Sequence, residues 1–97
     1  TDQKIVAREL ALIKVMTQTP QTRGELFSLI EPFRATVVDV STSSLTIEVT
    51  GNPDKIDALI ELLRPFGIKE LSRTGVTALT RGTQKLETET KPFSIIN

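Results

Sequence analysis

The sequence lacks several residue types on which common protein chemistry depends. Among its 97 residues there is no cysteine, histidine, tryptophan or tyrosine. Without cysteine there are no disulfides, thiolate nucleophiles or cysteine-based zinc sites. Without histidine, the side chain that most often acts as a general base near neutral pH is missing, and so is a common transition-metal ligand. These absences argue against an enzyme.

An excess of charge and a long apolar run are also missing. The formal net charge is zero, from 12 Lys plus Arg and 12 Asp plus Glu, so no overall basic field attracts nucleic acid or an anionic membrane. No apolar run approaches the roughly 20 residues of a membrane helix, and the first residues, TDQKIVARE, lack the apolar core of a signal peptide. We therefore expect a cytoplasmic domain that binds neither nucleic acid nor membranes. The chain does not begin with methionine, which suggests a piece of a longer protein.

The apolar pattern predicts the element order βαββαβ. Strand patterns cover residues 7–16, 35–41, 45–50 and 68–72. The first helix is predicted to start at a capping box, Thr22–Glu25, and the second at Asn52 as N-cap with Pro53 at its first position. This order predicts an α+β, ferredoxin-like sandwich with a four-stranded antiparallel sheet and two helices on one face. We place the domain at residues 1–82 and a flexible polar tail at 83–97.

The sheet face opposite the helices is expected to stay open. We place Ile13 and Val38 there beside Glu48, which makes this face a candidate dimer or partner surface. RNA-recognition motifs share the βαββαβ order, but they stack bases on aromatic residues of the central strands. The first and third strands here contain no aromatic residue, so RNA binding is disfavoured.

Gly24 is a candidate ligand-binding residue. A glycine at the start of a first helix lets a ligand approach backbone N–H groups at the helix N-terminus, which favours carboxylates. ACT domains, which are small ferredoxin-like amino-acid sensors, have a glycine followed two residues later by leucine, and Gly24-Glu25-Leu26 resembles them. One hypothesis is therefore a stand-alone domain that senses a small amino acid near Gly24. The alternative is an ordinary first-turn glycine.

The segment KELSRTGVTALTRG, residues 69–82, contains Arg73 and Arg81 in two turn-like runs. Guanidinium groups suit bidentate anion contacts, so the two arginines could hold a phosphate or carboxylate. Alternatively, they are surface arginines paired with Glu70 or a terminal carbonyl. The segment lacks the glycine-rich strand-to-helix form of a phosphate loop. We interpret it as the last strand with its extension, and we predict partner contacts at Arg73, Thr74 and Arg81.

Four segments together resemble a known family: ARELALIKV at residues 7–15, EPFRATVVDVS at 31–41, SLTIEVTGNPDKIDALIELLRPFGI at 44–68 and KELSRTGVTALTRG at 69–82. In this order they resemble the C-terminal domain of the regulatory small subunit of acetolactate synthase, also called acetohydroxyacid synthase. The resemblance runs from Val6 to Gly82 and, on these motifs, leaves out the tail.

The resemblance implies an ACT-like domain without catalytic residues. It would help to bind and activate a separate catalytic large subunit in the biosynthesis of valine, leucine and isoleucine. Thiamine diphosphate, magnesium and FAD would belong to that catalytic subunit, so no cofactor or metal is expected in this chain. The resemblance also implies a homodimer. The N-terminal valine-sensing ACT domain, with its Asn-x-x-Gly-x-Leu loop, is expected to be absent from this chain.

Overall fold

The structure, a computed structural model, describes residues 5–82, and within them it contains five strands and two α-helices. They are β1 (Ile5–Met16), α1 (Pro20–Ile30), β2 (Thr36–Val40), β3 (Ser44–Gly51), α2 (Pro53–Leu63), β4 (Ile68–Arg73) and β5 (Thr77–Thr80). Each helix continues into a 3-10 turn, at Glu31–Phe33 and Arg64–Phe66. The predicted order is therefore found, with one additional strand. The predicted tail, 83–97, lies outside the described residues.

The sheet is antiparallel, with the order β2-β3-β1-β4, and β5 pairs separately with the beginning of β1. This is a ferredoxin-like α+β arrangement, but its sheet has five strands, so the predicted count of four is wrong. The central strand β1 is 12 residues long. Its residues from Glu9 onward pair with β3, whereas Ile5–Arg8 pair with β5. We call the ribbon of Ile5–Arg8 and Thr77–Thr80 the arm.

Both helices pack on the same face of the sheet and close the core there. The fully or almost fully buried apolar residues come from β1, β3 and both helices: Ala11, Ile13, Val15, Leu26, Ile30, Leu45, Ile47, Val49, Ile56, Leu59, Ile60 and Leu63. The predicted alternation of β3 and the predicted apolar stripe of α2 are confirmed.

The prediction that Ile13 lies on the open face is wrong. Ile13 is fully buried in the core and pairs with Ile47 of β3. Both faces of β1 carry apolar residues, so alternation alone does not say which one the helices cover. Val38 is half-exposed, at a shift in register between Val37 and Asp39.

The predicted N-cap is correct for α2 and wrong for α1. At α2, the side-chain oxygen of Asn52 accepts a hydrogen bond from the Lys55 N–H at 2.9 Å, as predicted. At α1, Thr19 is the N-cap, and its hydroxyl accepts from the Thr22 N–H at 3.1 Å. The predicted capping box at Thr22 is therefore wrong. Pro20 fixes the start, because proline is pre-organised for the first helical position and has no N–H to lose there.

The arm extends beyond the sandwich. The described molecule measures 52 × 28 × 17 Å and has a radius of gyration of 16.8 Å, against about 12 Å for a compact domain of this length. Its exposed apolar side chains include Leu79, at 74% exposure, and Ile5, at 48%. Neither helix covers this ribbon.

Candidate partner-binding surface

A group of hydrogen bonds around Glu9 and Arg73, which we call the corner, fixes the base of the arm. The Arg73 guanidinium donates to both carboxylate oxygens of Glu9, at 2.8 and 3.1 Å. The Gly75 N–H donates to the same carboxylate at 3.1 Å. Thr74 donates its N–H to the Leu10 carbonyl at 3.0 Å and accepts the Leu10 N–H at its hydroxyl at 3.1 Å. These contacts fix the path of the chain from β4 into β5.

Arg73 also ties the corner to a helix, because it donates to the Asp57 carboxylate of α2 at 2.7 Å. Glu9 is only 6% exposed. The hydrogen bond from Arg73 lowers the pKa of Glu9, which burial opposes and the Gly75 N–H supports. The hydrogen bonds to Glu9 and then to Asp57 raise the pKa of Arg73. One ion-paired cluster therefore joins β1, β4 and α2.

Two of the predicted partner contacts, Arg73 and Thr74, form hydrogen bonds within the chain itself. The partner of Arg73 is not Glu70, which instead pairs with Lys14 at 3.4 Å. The turn that follows needs glycine, because Gly75 has a φ of 89°. Arg73 and Thr74 thus position the arm, and direct contact with a partner stays a prediction for them.

Arg81, the third predicted contact, is exposed just beyond the end of β5. Together with Val6, Arg8 and Leu79 it lines a shallow groove of about 460 Å³ on the arm. Arg73 lies at the base of the arm, so β5 separates the two arginines, a strand of four residues that spans about 13 Å. The structure therefore does not bring them together in one anion site.

The open face of the sheet continues onto the arm. Leu12 lies between Glu48 of β3 and Ser72 of β4 on this face, and it is 40% exposed. Because alternate residues of a strand share a face, Val6 lies on the same side as Leu12, and it pairs with Leu79. The result is one surface with apolar side chains along its length. Sequence reasoning missed its outer part because it missed β5.

Three comparisons place the chain among known proteins. The family model described as the small subunit of acetolactate synthase matches residues 8–82. The chain belongs to this family. It is 58% identical over 96 residues to the acetolactate synthase small subunit of Bacillus subtilis, covering 99% of this chain and 55% of that protein. It is also 58% identical over 81 residues to that of Aquifex aeolicus, covering 84% of this chain and 42% of that protein.

A solved structure of the family shares the fold. The acetolactate synthase small subunit of Thermotoga maritima superposes with a TM-score of 0.76 at 40% identity, over 84% of this chain and 49% of that one. The chain thus spans about half the length of these relatives, and it corresponds to the C-terminal domain of the small subunit. The resemblance drawn from the motifs is confirmed. The family model also ends at Gly82, and the match to the Bacillus subtilis protein takes in residues beyond it.

The structure does not place Gly24 at the start of α1, where the ligand hypothesis expects it. Gly24 is the fifth residue of α1 and is exposed, whereas the hypothesis needs it at the helix start. An N–H at the fifth position is used within the helix itself. A Cβ built on Gly24 meets no atom within 4 Å, so no close approach requires glycine there.

The described residues contain neither a metal-binding cluster nor a membrane-spanning helix. Between residues 5 and 82 there is no group of three or more Asp or Glu side chains that could hold a metal ion. In the same range no helix is long and apolar enough to cross a membrane. The ion pair of Glu9 with Arg73 links β1 to β4 and is a structural element.

Proposed function

We propose that this domain is a regulatory, non-catalytic part of an acetolactate synthase small subunit and helps to bind and activate the catalytic large subunit. The names of the relatives support this role, since each is the small subunit of that enzyme. Acetolactate formation, with thiamine diphosphate, magnesium and FAD, would then take place in the large subunit, within branched-chain amino acid biosynthesis.

The main support for a contact with the large subunit is that the arm protrudes and is exposed. A two-stranded ribbon is at best marginally stable alone, yet here the Glu9–Arg73 cluster fixes its base and Leu79 stays 74% exposed. A protruding ribbon with exposed apolar side chains suits insertion into a partner. In this proposal, Leu79 is the apolar anchor and Arg81 contacts the partner beside it.

A second copy of the domain is proposed to cover the open sheet face, as in an ACT-like dimer. The open face exposes Leu12 beside the Lys14–Glu70 ion pair. Such a mixture of apolar and paired charged groups is common at protein–protein interfaces. The arm would then remain outside the dimer and available for the large subunit.

Co-elution with purified catalytic subunit and the rate of acetolactate formation test the proposal. We expect Leu79→Lys to weaken co-elution and activation by about tenfold or more, which is typical of an interface hot spot. The matched control is Leu62→Lys on α2, a leucine that is 47% exposed and far from the arm in the chain. It should change either quantity by less than about twofold.

Charge reversal at Arg81 is expected to have a smaller effect, because an exposed charge at the edge of an interface mainly alters the association rate. Arg81→Glu should slow association at low salt, and the difference should shrink as salt is added. If the unmodified domain neither co-elutes with the catalytic subunit nor changes its rate, the proposal is wrong for this domain.

A further inference from the structure

One edge of the arm borders no other strand among the described residues. In the sheet, β1 lies between β3 and β4, but β3 ends at Gly51, opposite Glu9. The turn at residues 74–76 is too short to cross β1, so β5 stays on the β4 side. Within residues 5–82, the β3 side of Ile5–Arg8 therefore has no neighbouring strand. We call it the free edge.

Leu10 shows which backbone groups point to the free edge. Its N–H and its carbonyl both bond to Thr74, on the β4 side of β1. Backbone groups of successive residues in a strand point to opposite sides, so those of Glu9, Ala7 and Ile5 point away from β4 and β5. The N–H groups of Ala7 and Ile5 thus point out of the arm, where the described residues offer them no strand.

The Arg8 side chain occupies the free edge. Its guanidinium donates to the carbonyl of Ala7, the residue before it, at 2.9 Å. Charged side chains of this kind protect exposed strand edges against unwanted pairing. The bond is exposed to solvent and is readily exchanged for an equivalent one. An approaching strand therefore meets the free N–H of Ala7 and a carbonyl that Arg8 can release.

The charge of the arm indicates the sign of a partner. The arm and the two residues that follow it contain two cations, Arg8 and Arg81, and neither Asp nor Glu. The carboxylate next in the chain, Glu9, is already bound by Arg73. Within residues 5–82, no ion pair joins Arg8 to a carboxylate. An added strand with an acidic residue opposite Arg8 would complete a cross-strand ion pair.

We propose that an extended, acidic segment of the large subunit pairs with the free edge as an added strand, in line with β3. The outward groups of Ile5 and Ala7 lie about 7 Å apart, a spacing that an extended chain matches. A carboxylate of the segment takes the Arg8 guanidinium from the Ala7 carbonyl, which then accepts a backbone N–H. Such pairing gives affinity through the main chain and specificity through alternate side chains. The inference rests on the proposed function and specifies the edge and the chemistry of the contact.

A pair of proline variants tests the added strand. Ala7 and Ala78 lie opposite each other in the arm, and their N–H groups point to its two different edges. Proline removes the N–H and is tolerated at strand edges. Ala7→Pro should weaken co-elution with the large subunit by about tenfold or more, and Ala78→Pro by no more than about threefold. Equal losses, with the arm intact in both, would contradict the proposal.

Amide hydrogen exchange gives a second measurement that needs no variant. On addition of the large subunit, exchange at Ala7 should slow by about tenfold or more, and exchange at Ala78 should change far less. The amides of Val6 and Leu79, which pair with each other, report whether the arm stays formed in each proline variant. A complex that co-elutes without slower exchange at Ala7 would rule out the added strand and leave the proposed function standing.

Substitutions of Arg8 test the charge of the segment. Arg8→Glu should weaken co-elution by about tenfold or more, because it places like charges opposite each other, and Arg8→Lys should retain most of the affinity. The control Arg64→Glu on α2 should change the affinity by less than about twofold. Unchanged affinity in Arg8→Glu would overturn the ion pair.

Two further outcomes separate the partner from the mode of binding. If sedimentation shows a dimer of the unmodified domain that Ala7→Pro dissociates, the free edge pairs with a second copy, and the proposal is wrong. If the unmodified domain does not co-elute with the large subunit, the proposed function fails, and this inference fails with it.

Discussion

The sandwich and the arm share the strand β1, yet different interactions hold them together. In the sandwich, Ala11, Ile13 and Val15 are fully buried under two helices. In the arm, the same strand continues with Ile5 nearly half exposed, and its partner Leu79 is exposed still more. The arm therefore depends on backbone pairing and on the ion-paired corner at its base.

This difference shows how a small domain can project a ribbon without a core of its own. Hydrophobic burial stabilises the sandwich. The hydrogen bonds of the corner attach the arm to the sandwich and so stabilise the arm. Arg73 is the central residue, because it contacts Glu9 of β1 and Asp57 of α2 at once. These contacts fix the position of the arm, while its apolar side chains stay exposed.

The largest contrast between the two regions is expected for leucine truncation. Leu59→Ala removes a fully buried side chain of α2 and should lower the free energy of unfolding by about 2–5 kcal/mol. Leu79→Ala in the arm should change it by less than about 0.5 kcal/mol. Urea denaturation of both variants measures the difference. A large loss of stability from Leu79→Ala would mean that the arm is packed against something in solution.

Replacing Arg73 should release the arm but leave the sandwich folded. Arg73→Met removes the donors that bind Glu9 and Asp57, and it leaves a buried carboxylate without its cation. Amide hydrogen exchange at Val6 and Leu79 is expected to accelerate, while Ile13 and Ile47 keep most of their protection. Arg64→Met, which breaks an exposed pair with Glu61, serves as control and should leave the arm unchanged. Equal acceleration in both regions would show that the corner stabilises the whole domain.

Lowering the pH is expected to have the smallest effect of the three, and to act on the arm through Glu9. The folded pKa of Glu9 is lowered from 4.5, chiefly by its hydrogen bond with Arg73. Its contribution to stability is therefore fully present above about pH 4.5 and is lost as the pH falls through the lowered folded value.

The NMR signals of Ala7 and Ala78 in the arm can follow this transition during an acid titration. In Glu9→Gln the acid-dependent change of these signals should disappear, because the titrating group is gone. If the same change persists in Glu9→Gln, another carboxylate is responsible.

Local signals were sufficient to predict β3 and α2. The alternation of Leu45, Ile47 and Val49 needs only one covered face, and the pair Asn52-Pro53 marks a helix start by itself. Both elements agree with the structure because no competing local signal lies nearby.

The start of α1 shows what happens when two local signals compete. Thr22 followed by Glu25 has the form of a capping box, and Thr19-Pro20 offers a second N-cap three residues earlier. The proline decides in favour of the earlier position. Gly24 therefore lies at the fifth position of the helix and not at its start, where the ligand hypothesis expects it.

The arm and its corner could not be predicted from local patterns. Glu9 and Arg73 are 64 residues apart in the chain, and nothing near either residue indicates the other. The strand β5 has only four residues, and the run bounded by Gly75 and Gly82 was interpreted as an extension of β4. The β-branched residues Val76, Thr77 and Thr80, with a glycine on either side of the run, were the one available signal.

The two-part pairing of β1 also predicts an order of folding. Because Ile5 pairs with Thr80, the arm joins the two ends of the described chain, and Arg73 can reach Glu9 only after β4 has docked. Closing so long a loop early is entropically costly, whereas the β2–β3 hairpin forms from neighbouring residues. We therefore expect the two strands of the arm to pair last, after the sandwich has formed.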